Sequence, residues 1–186
     1  MKTIYYGATS LNGFIADQNN SLDWLFQFSG EQTGPLNFDQ FLAGVGAIAM
    51  GSTTYEWIYQ HQIITAKDPT TAWPYKVPTW VFSKRKLPVV PNADLRFVKG
   101  DVTPVHTQMR AAAGTQNVWL MGGGELVGQF YDKGLLDEMI LQLAPLTLAG
   151  GAPVFPRATR PPMILKSAQA YGDAFVELRY EVPKPS

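Results

Sequence analysis

The chain of 186 residues contains no cysteine and only two histidines, His61 and His106. That removes disulfides, thiolate nucleophiles and Cys-ligated zinc. Neither histidine sits in a metal-ligand spacing, so no metal site is expected. An excess of either charge is also missing. Lys plus Arg and Asp plus Glu both number 15, and the basic residues form no run able to follow a phosphate backbone, which argues against a nucleic-acid partner. No apolar stretch approaches the length of a membrane span, and the opening MKTIYYGATS runs into strand-like residues without a secretory h-region. The expectation is therefore a cytoplasmic protein with no membrane partner. Ser10 and Ser83 have no His–Asp partner near them in sequence, and no hydrolase triad is inferred.

What is present suits a layered domain. The length fits a single domain over residues 1–186, long enough to bury a full core. Aromatic residues make up 12%, enough for a core and for a pocket that takes a flat ligand. The central stretch is Asn117–Glu138, NVWLMGGGELVGQFYDKGLLDE. Asn117–Met121 reads as a buried strand, Gly122–Gly124 as a turn, and Glu125–Tyr131 as a helix with Leu126, Val127, Phe130 and Tyr131 at helical spacing. A glycine turn between strand and helix lets a ligand approach the backbone and points free N–H groups at an anion. Alone, the triplet is equally a tight turn that binds nothing.

Other segments alternate in the same way. Strands are expected at Thr3–Ala8, Val45–Met50, Val77–Phe82, Ala93–Val98 and Glu138–Leu143, with helices over about Leu36–Leu42 after Gly34–Pro35, at Tyr55–Tyr59 and at Thr103–Ala113. Gly51–Ser52–Thr53–Thr54 is a second glycine turn, with hydroxyls that cap the helix or bind phosphate. Gln60–Lys76, with Pro69 and Pro74, reads as a surface excursion, and Leu146–Pro156 as a loop bounded by glycine and proline. Ser83–Lys84–Arg85 sets a hydroxyl and two cations at a strand's C-terminal edge, where open α/β sheets hold ligands. Pro162–Ala170 and Phe175–Val182 alternate as an antiparallel pair.

In this order, SLNGFIA with DWL, AMGSTTYE, VFSK, LMGGGELVGQFYDKGLLDEM and PLTLAGGAPVF resemble the dihydrofolate reductase-like superfamily. The branch they resemble includes the C-terminal reductase domain of the riboflavin-pathway deaminase-reductase proteins, and nearly the whole chain takes part. The resemblance implies an α/β fold with a mixed, mostly parallel central sheet flanked by helices and an antiparallel C-terminal strand pair. It implies NADPH across the C-terminal ends of the strands, with NADH not excluded. Ala8 and Ile15 would flank the nicotinamide. Gly51, Ser52, Thr53 and Thr54 would hold phosphates, and Phe82, Ser83 and Lys84 would surround the adenine and its ribose. Gly122, Gly123, Gly124, Glu125 and Leu126 would line the pyrophosphate and nicotinamide ribose, with a cis Gly122–Gly123 peptide, and Thr147 would approach the carboxamide.

Two departures stand out. The arginine common after the second-motif glycine is Ser52 here, which leaves Lys84 or Arg85 to supply the charge for a 2′-phosphate. The carboxylate expected on the first helix has only Asp39 as a candidate, one turn closer to the next strand, with Glu31 and Asp17 as loop alternatives. Three readings follow from the residues and the resemblance. The first is a reductase moving a hydride from NAD(P)H to a small heterocycle such as a pterin or pyrimidine, akin to dihydrofolate reductase or 5-amino-6-(5-phosphoribosylamino)uracil reductase. The second is a nucleotide-binding protein without turnover, and the third an interaction protein on a borrowed fold. Trp24, Phe26, Phe38, Phe41, Tyr55 and Trp57 lie in stretches able to wall a pocket or simply to fill the core. The branch often forms homodimers, for which the C-terminal strand pair offers an edge.

Overall fold

The computed structural model describes residues 1–28 and 38–184. Glu31, Gly34–Pro35 and the expected helix start at Leu36 lie outside the described residues. Apolar and β-branched runs form the strands: β1 Thr3–Ser10, β3 Val45–Gly51, β4 Thr79–Phe82, β6 Asn117–Gly122 and β7 Glu138–Ala144, with β5 at Leu95–Val98. The C-terminal pair is β9 Ile164–Tyr171 and β10 Phe175–Glu181, and two short strands, β2 Phe14–Ala16 and β8 Ala152–Pro153, complete the set. Among the described residues five α-helices lie between them: α1 Asp23–Phe26, α2 Phe38–Ala43, α3 Ser52–Ile58, α4 Val102–Ala113 and α5 Gly124–Asp132.

An eight-stranded sheet runs in the order β5-β4-β3-β6-β1-β7-β10-β9. Strands from β5 to β7 are mutually parallel, and β10 pairs antiparallel with both β7 and β9. Parallel strands covered on both faces must be apolar on both, and β3 is buried at six consecutive positions, Val45 to Met50. One face packs Val105, Met109, Val127 and Phe130 of α4 and α5 on Tyr5, Ala49 and Leu120. On the other, Phe38 and Phe41 of α2 and Tyr55 and Ile58 of α3 cover Tyr6, Ile48 and Trp119. A third cluster joins Trp24 of α1 to Ala144, Tyr171 and Phe175, with Ala8 packed against it.

Two segments differ from the sequence reading. Gln60–Lys76 is only partly a surface excursion. Its first residues continue α3 as a π-helical turn, Tyr59–Ile63, with Ile63 buried, and Trp73 and Tyr75 pack back on the second cluster. A hydrophobic residue at every few polar positions is enough to anchor a segment whose overall polarity reads as solvent-facing. Leu146–Pro156 is likewise more than a loop, since Ala152–Pro153 pairs antiparallel with Phe14–Ala16 as a second, two-stranded sheet. Strands this short have no alternation to read.

Candidate functional site

The C-terminal ends of β3 and β6 meet through a bulge. Ala49 pairs with Leu120 but Met50 pairs with Gly122, so Met121 is an extra residue in β6. This irregularity draws the glycine elbow after β6 against the one after β3. A Cβ built on Gly51 would lie 3.7 Å from the Gly123 nitrogen and 3.8 Å from the Gly122 oxygen. The Gly122–Gly123 peptide is cis, as the resemblance implies, and Gly122 has a φ of 143° that favours glycine.

Each elbow opens a helix that no side chain caps. Gly51 precedes α3 and Gly123 precedes α5, and neither N-terminus receives a side-chain hydrogen bond. The contrast is α4, where the Asp101 carboxylate accepts from the Thr103 N–H at 2.8 Å. Helix N-termini carry unsatisfied donors and the positive end of the dipole, so two uncapped termini side by side are suited to an anion.

Both termini face one cavity of about 750 Å³, a size typical of small-molecule sites. Of the residues predicted for cofactor contact, Gly51, Ser52, Thr53 and Thr54 line its first wall. Gly123, Gly124, Glu125 and Leu126 line the second, and Phe82, Ser83 and Lys84 the far end, with Ile15 opposite. The structure does not bring Ala8, Gly122 and Thr147 into that lining. Ala8 faces the third core cluster, Gly122 is buried behind the elbow, and Thr147 is exposed in the loop after β7. Asp39 stands exposed on α2 and outside the cavity lining. Trp57 is the one member of the aromatic set that lines the cavity. Phe26 stacks on it at 5.7 Å, whereas Tyr55, Phe38, Phe41 and Trp24 belong to the core.

Charge is concentrated at the far end, where Lys84, Arg85 and Lys99 line the cavity. The Arg85 guanidinium donates to both Glu56 carboxylate oxygens, at 2.8 and 2.7 Å, and to Ser52 Oγ at 3.1 Å. A bidentate pair of this kind fixes the guanidinium plane. The cavity's carboxylate, Glu125, is held by Arg157 at 2.7 and 2.9 Å, and this hydrogen-bonded cation keeps its pKa below the usual value.

Sequence reasoning passes over the remaining wall. Ala152, Pro153 and Pro156 close the cavity beside Ala16. Here the glycines act by close packing: a Cβ on Gly124 would lie 2.3 Å from the Pro153 oxygen, and one on Gly151 would lie 1.9 Å from the Ala16 oxygen. The pair Gly150–Gly151 is the visible trace of this contact in the sequence. Asn20, with a φ of 58°, and Leu22 complete the rim from the loop after β2. Neither carries a motif that singles it out.

Comparison with known proteins agrees with this fold. The family model of the RibD C-terminal domain matches residues 2–176. The uncharacterized protein YwjB of Bacillus subtilis is 30% identical over 180 residues, covering 96% of this chain and 97% of its own. A putative riboflavin biosynthesis protein from Shewanella sp. PV-4 superposes with a TM-score of 0.79 at 25% identity, over 99% of this chain and 100% of that one. A dihydrofolate reductase from Enterococcus faecalis, solved with NADP(H) and RAB-propyl, gives a TM-score of 0.62 at 12% identity over 97% and 95% of the two chains. The fold is that of dihydrofolate reductase.

Proposed function

The chain belongs to the RibD C-terminal domain family, and on that premise we propose that it is a reductase using NADPH to reduce a small heterocycle, a pterin, a pyrimidine or a related compound. The observation that carries this reading is the pair of uncapped helix N-termini, each behind a glycine, that face one cavity. The residues fit such a dinucleotide. Beyond its neighbours in the chain, a Cβ on Gly123 would meet only Ile15 Cδ1, at 3.9 Å, so the space beside that backbone is left for a ligand. When bound, the nicotinamide supplies the hydride.

The protein's own part is binding and exclusion of water. Backbone N–H groups at Ser52–Thr54 and Gly124–Leu126, with the hydroxyls of Ser52, Thr53 and Thr54, would hold the pyrophosphate. Phe82, Ser83 and Lys84 would surround the adenosine, and Arg85 would supply the charge missing from position 52. Its hydrogen bond to Ser52 Oγ sets the guanidinium at the start of α3, where the phosphate would compete with the Glu56 carboxylate for it. The small sheet of β2 and β8 would shield the reacting ring from water. Asp39 receives no role in proton transfer, since it lies outside the cavity.

β9 is exposed at every position before Tyr171, an uncovered edge of the kind a second copy would cover, and sedimentation should give twice the mass of the chain. Activity is tested by following NADPH and NADH absorbance over a panel of pterins and pyrimidines. Consumption of NADPH with one acceptor class is expected. Binding without turnover on any of them would instead favour a nucleotide-binding protein.

A further inference from the structure

One face of α5 is given over to the chain that follows β8. A Cβ on Gly124 would strike the Pro153 and Val154 carbonyls, Tyr131 meets Phe155 edge to face at 5.5 Å, and the Tyr131 hydroxyl accepts from the Arg160 N–H at 3.1 Å. Between these contacts lies Arg157. Its Nη1 and Nη2 donate to the two Glu125 carboxylate oxygens at 2.9 and 2.7 Å, and its Nε donates to Asp132 at 2.9 Å. Nη1 also donates to the Pro156 carbonyl at 2.9 Å. Gly128 makes room for this group, since a Cβ there would lie 2.7 Å from the guanidinium carbon.

Two roles are open to such a cation. As a strap it would fasten the segment to α5, but Gly124 and Tyr131 already hold that segment on both sides of it, and exposed ion pairs add little to stability. As a counter-charge it does more. Glu125 lies in the first turn of α5 and is the carboxylate of the cavity lining, whereas Arg157 stands behind that wall. Left alone, an ionised carboxylate at a helix start would take up the positive end of the dipole and repel a second anion. Two parallel N–H···O bonds to a guanidinium neutralise it and hold it in one orientation.

Resting on the cofactor reading above, we infer that Arg157 is a positioning residue for the dinucleotide: from outside the cavity it neutralises Glu125, and so lets the α5 N-terminus accept the pyrophosphate. Strap and counter-charge are separable, because only the second depends on the charge of Glu125.

The test measures NADP+ affinity of the full chain by calorimetric titration at about 20 mM and about 500 mM salt. Arg157→Met keeps an apolar stem over Gly128 and removes the charge, and Arg157→Gln removes it with a polar head in place. At low salt each should bind about 10-fold more weakly than wild type, and at high salt the gap should narrow to under about 3-fold. Adding Glu125→Gln to Arg157→Met should bring affinity back to within about 3-fold of wild type, although the strap stays broken. Asp132→Asn, which loosens the strap and leaves the cavity charge alone, should bind as wild type does. Wild-type affinity in the Arg157 variants at low salt, no recovery in the double variant, or an Asp132→Asn as weak as Arg157→Met overturns the inference. So does loss of the folded state in both Arg157 variants, which would make the strap the essential role. In each of these cases NADP+ binding by wild type leaves the cofactor reading standing. Failure of wild type to bind NADP+ at either salt overturns that reading, and the inference with it.

Discussion

Adjacent glycines in one motif have opposite physical roles. Gly123 faces open space toward the cavity, so Gly123→Val should fold with a melting temperature close to wild type. The branched side chain occupies the ligand's space, and NADPH affinity should fall at least about 100-fold, measured by titration. Gly124 is packed against the Pro153 and Val154 carbonyls, at 2.3 and 2.6 Å from a built Cβ. Gly124→Ala should therefore act on folding, costing about 1–3 kcal/mol in urea denaturation. At the cationic end, Arg85→Ala should weaken NADPH about 10-fold and leave NADH nearly unchanged, because only the former carries a 2′-phosphate. The three glycines are legible as a turn from the sequence, but which one packs and which one faces a ligand depends on β8. That strand consists of Ala152 and Pro153 alone and gives no periodic signal.

Among the elements, α4 is tied to β1 through a buried contact, Thr3 Oγ1 to His106 Nε2 at 2.7 Å. Burial, then the nearby Arg110 charge, holds the His106 pKa below its ordinary 6.5. The unfolded chain thus takes up the proton more readily than the folded one. This contribution to stability is complete above about pH 6.5 and is lost as pH falls through the depressed folded value. The urea midpoint should be lower at acid pH than at neutral pH, and His106→Gln should flatten that dependence at a cost of about 1 kcal/mol at neutral pH. Strand and helix types were readable because apolar runs and 3.6-residue spacing survive in β3, β6, α4 and α5. The bulge at Met121 was not, since an extra residue in a run of Val, Trp, Leu and Met leaves the pattern apolar on either register. The approach of the two elbows, on which the site depends, is for that reason a tertiary fact.

For the whole molecule, the strand order puts both glycine elbows on neighbouring parallel strands, with β4 and its cations next in line. Motifs separated by some 70 residues in the chain, Gly51 and Gly122, become neighbours only through that crossover. The resemblance carried this placement where the residues alone left a tight turn and a phosphate site equally open. No helix among the described residues is long and apolar enough to cross a membrane. A ligand that bridges both halves of the sheet stabilises all of it, so NADPH at about 100 times its Kd should add about 2.7 kcal/mol to unfolding. The most direct measurement is the titration of wild-type protein with NADPH, read by tryptophan fluorescence because Trp57 lines the cavity. Saturable binding of one NADPH per chain with a Kd on the order of 1 µM is predicted, and a folded wild type that shows no saturation at millimolar NADPH would contradict it.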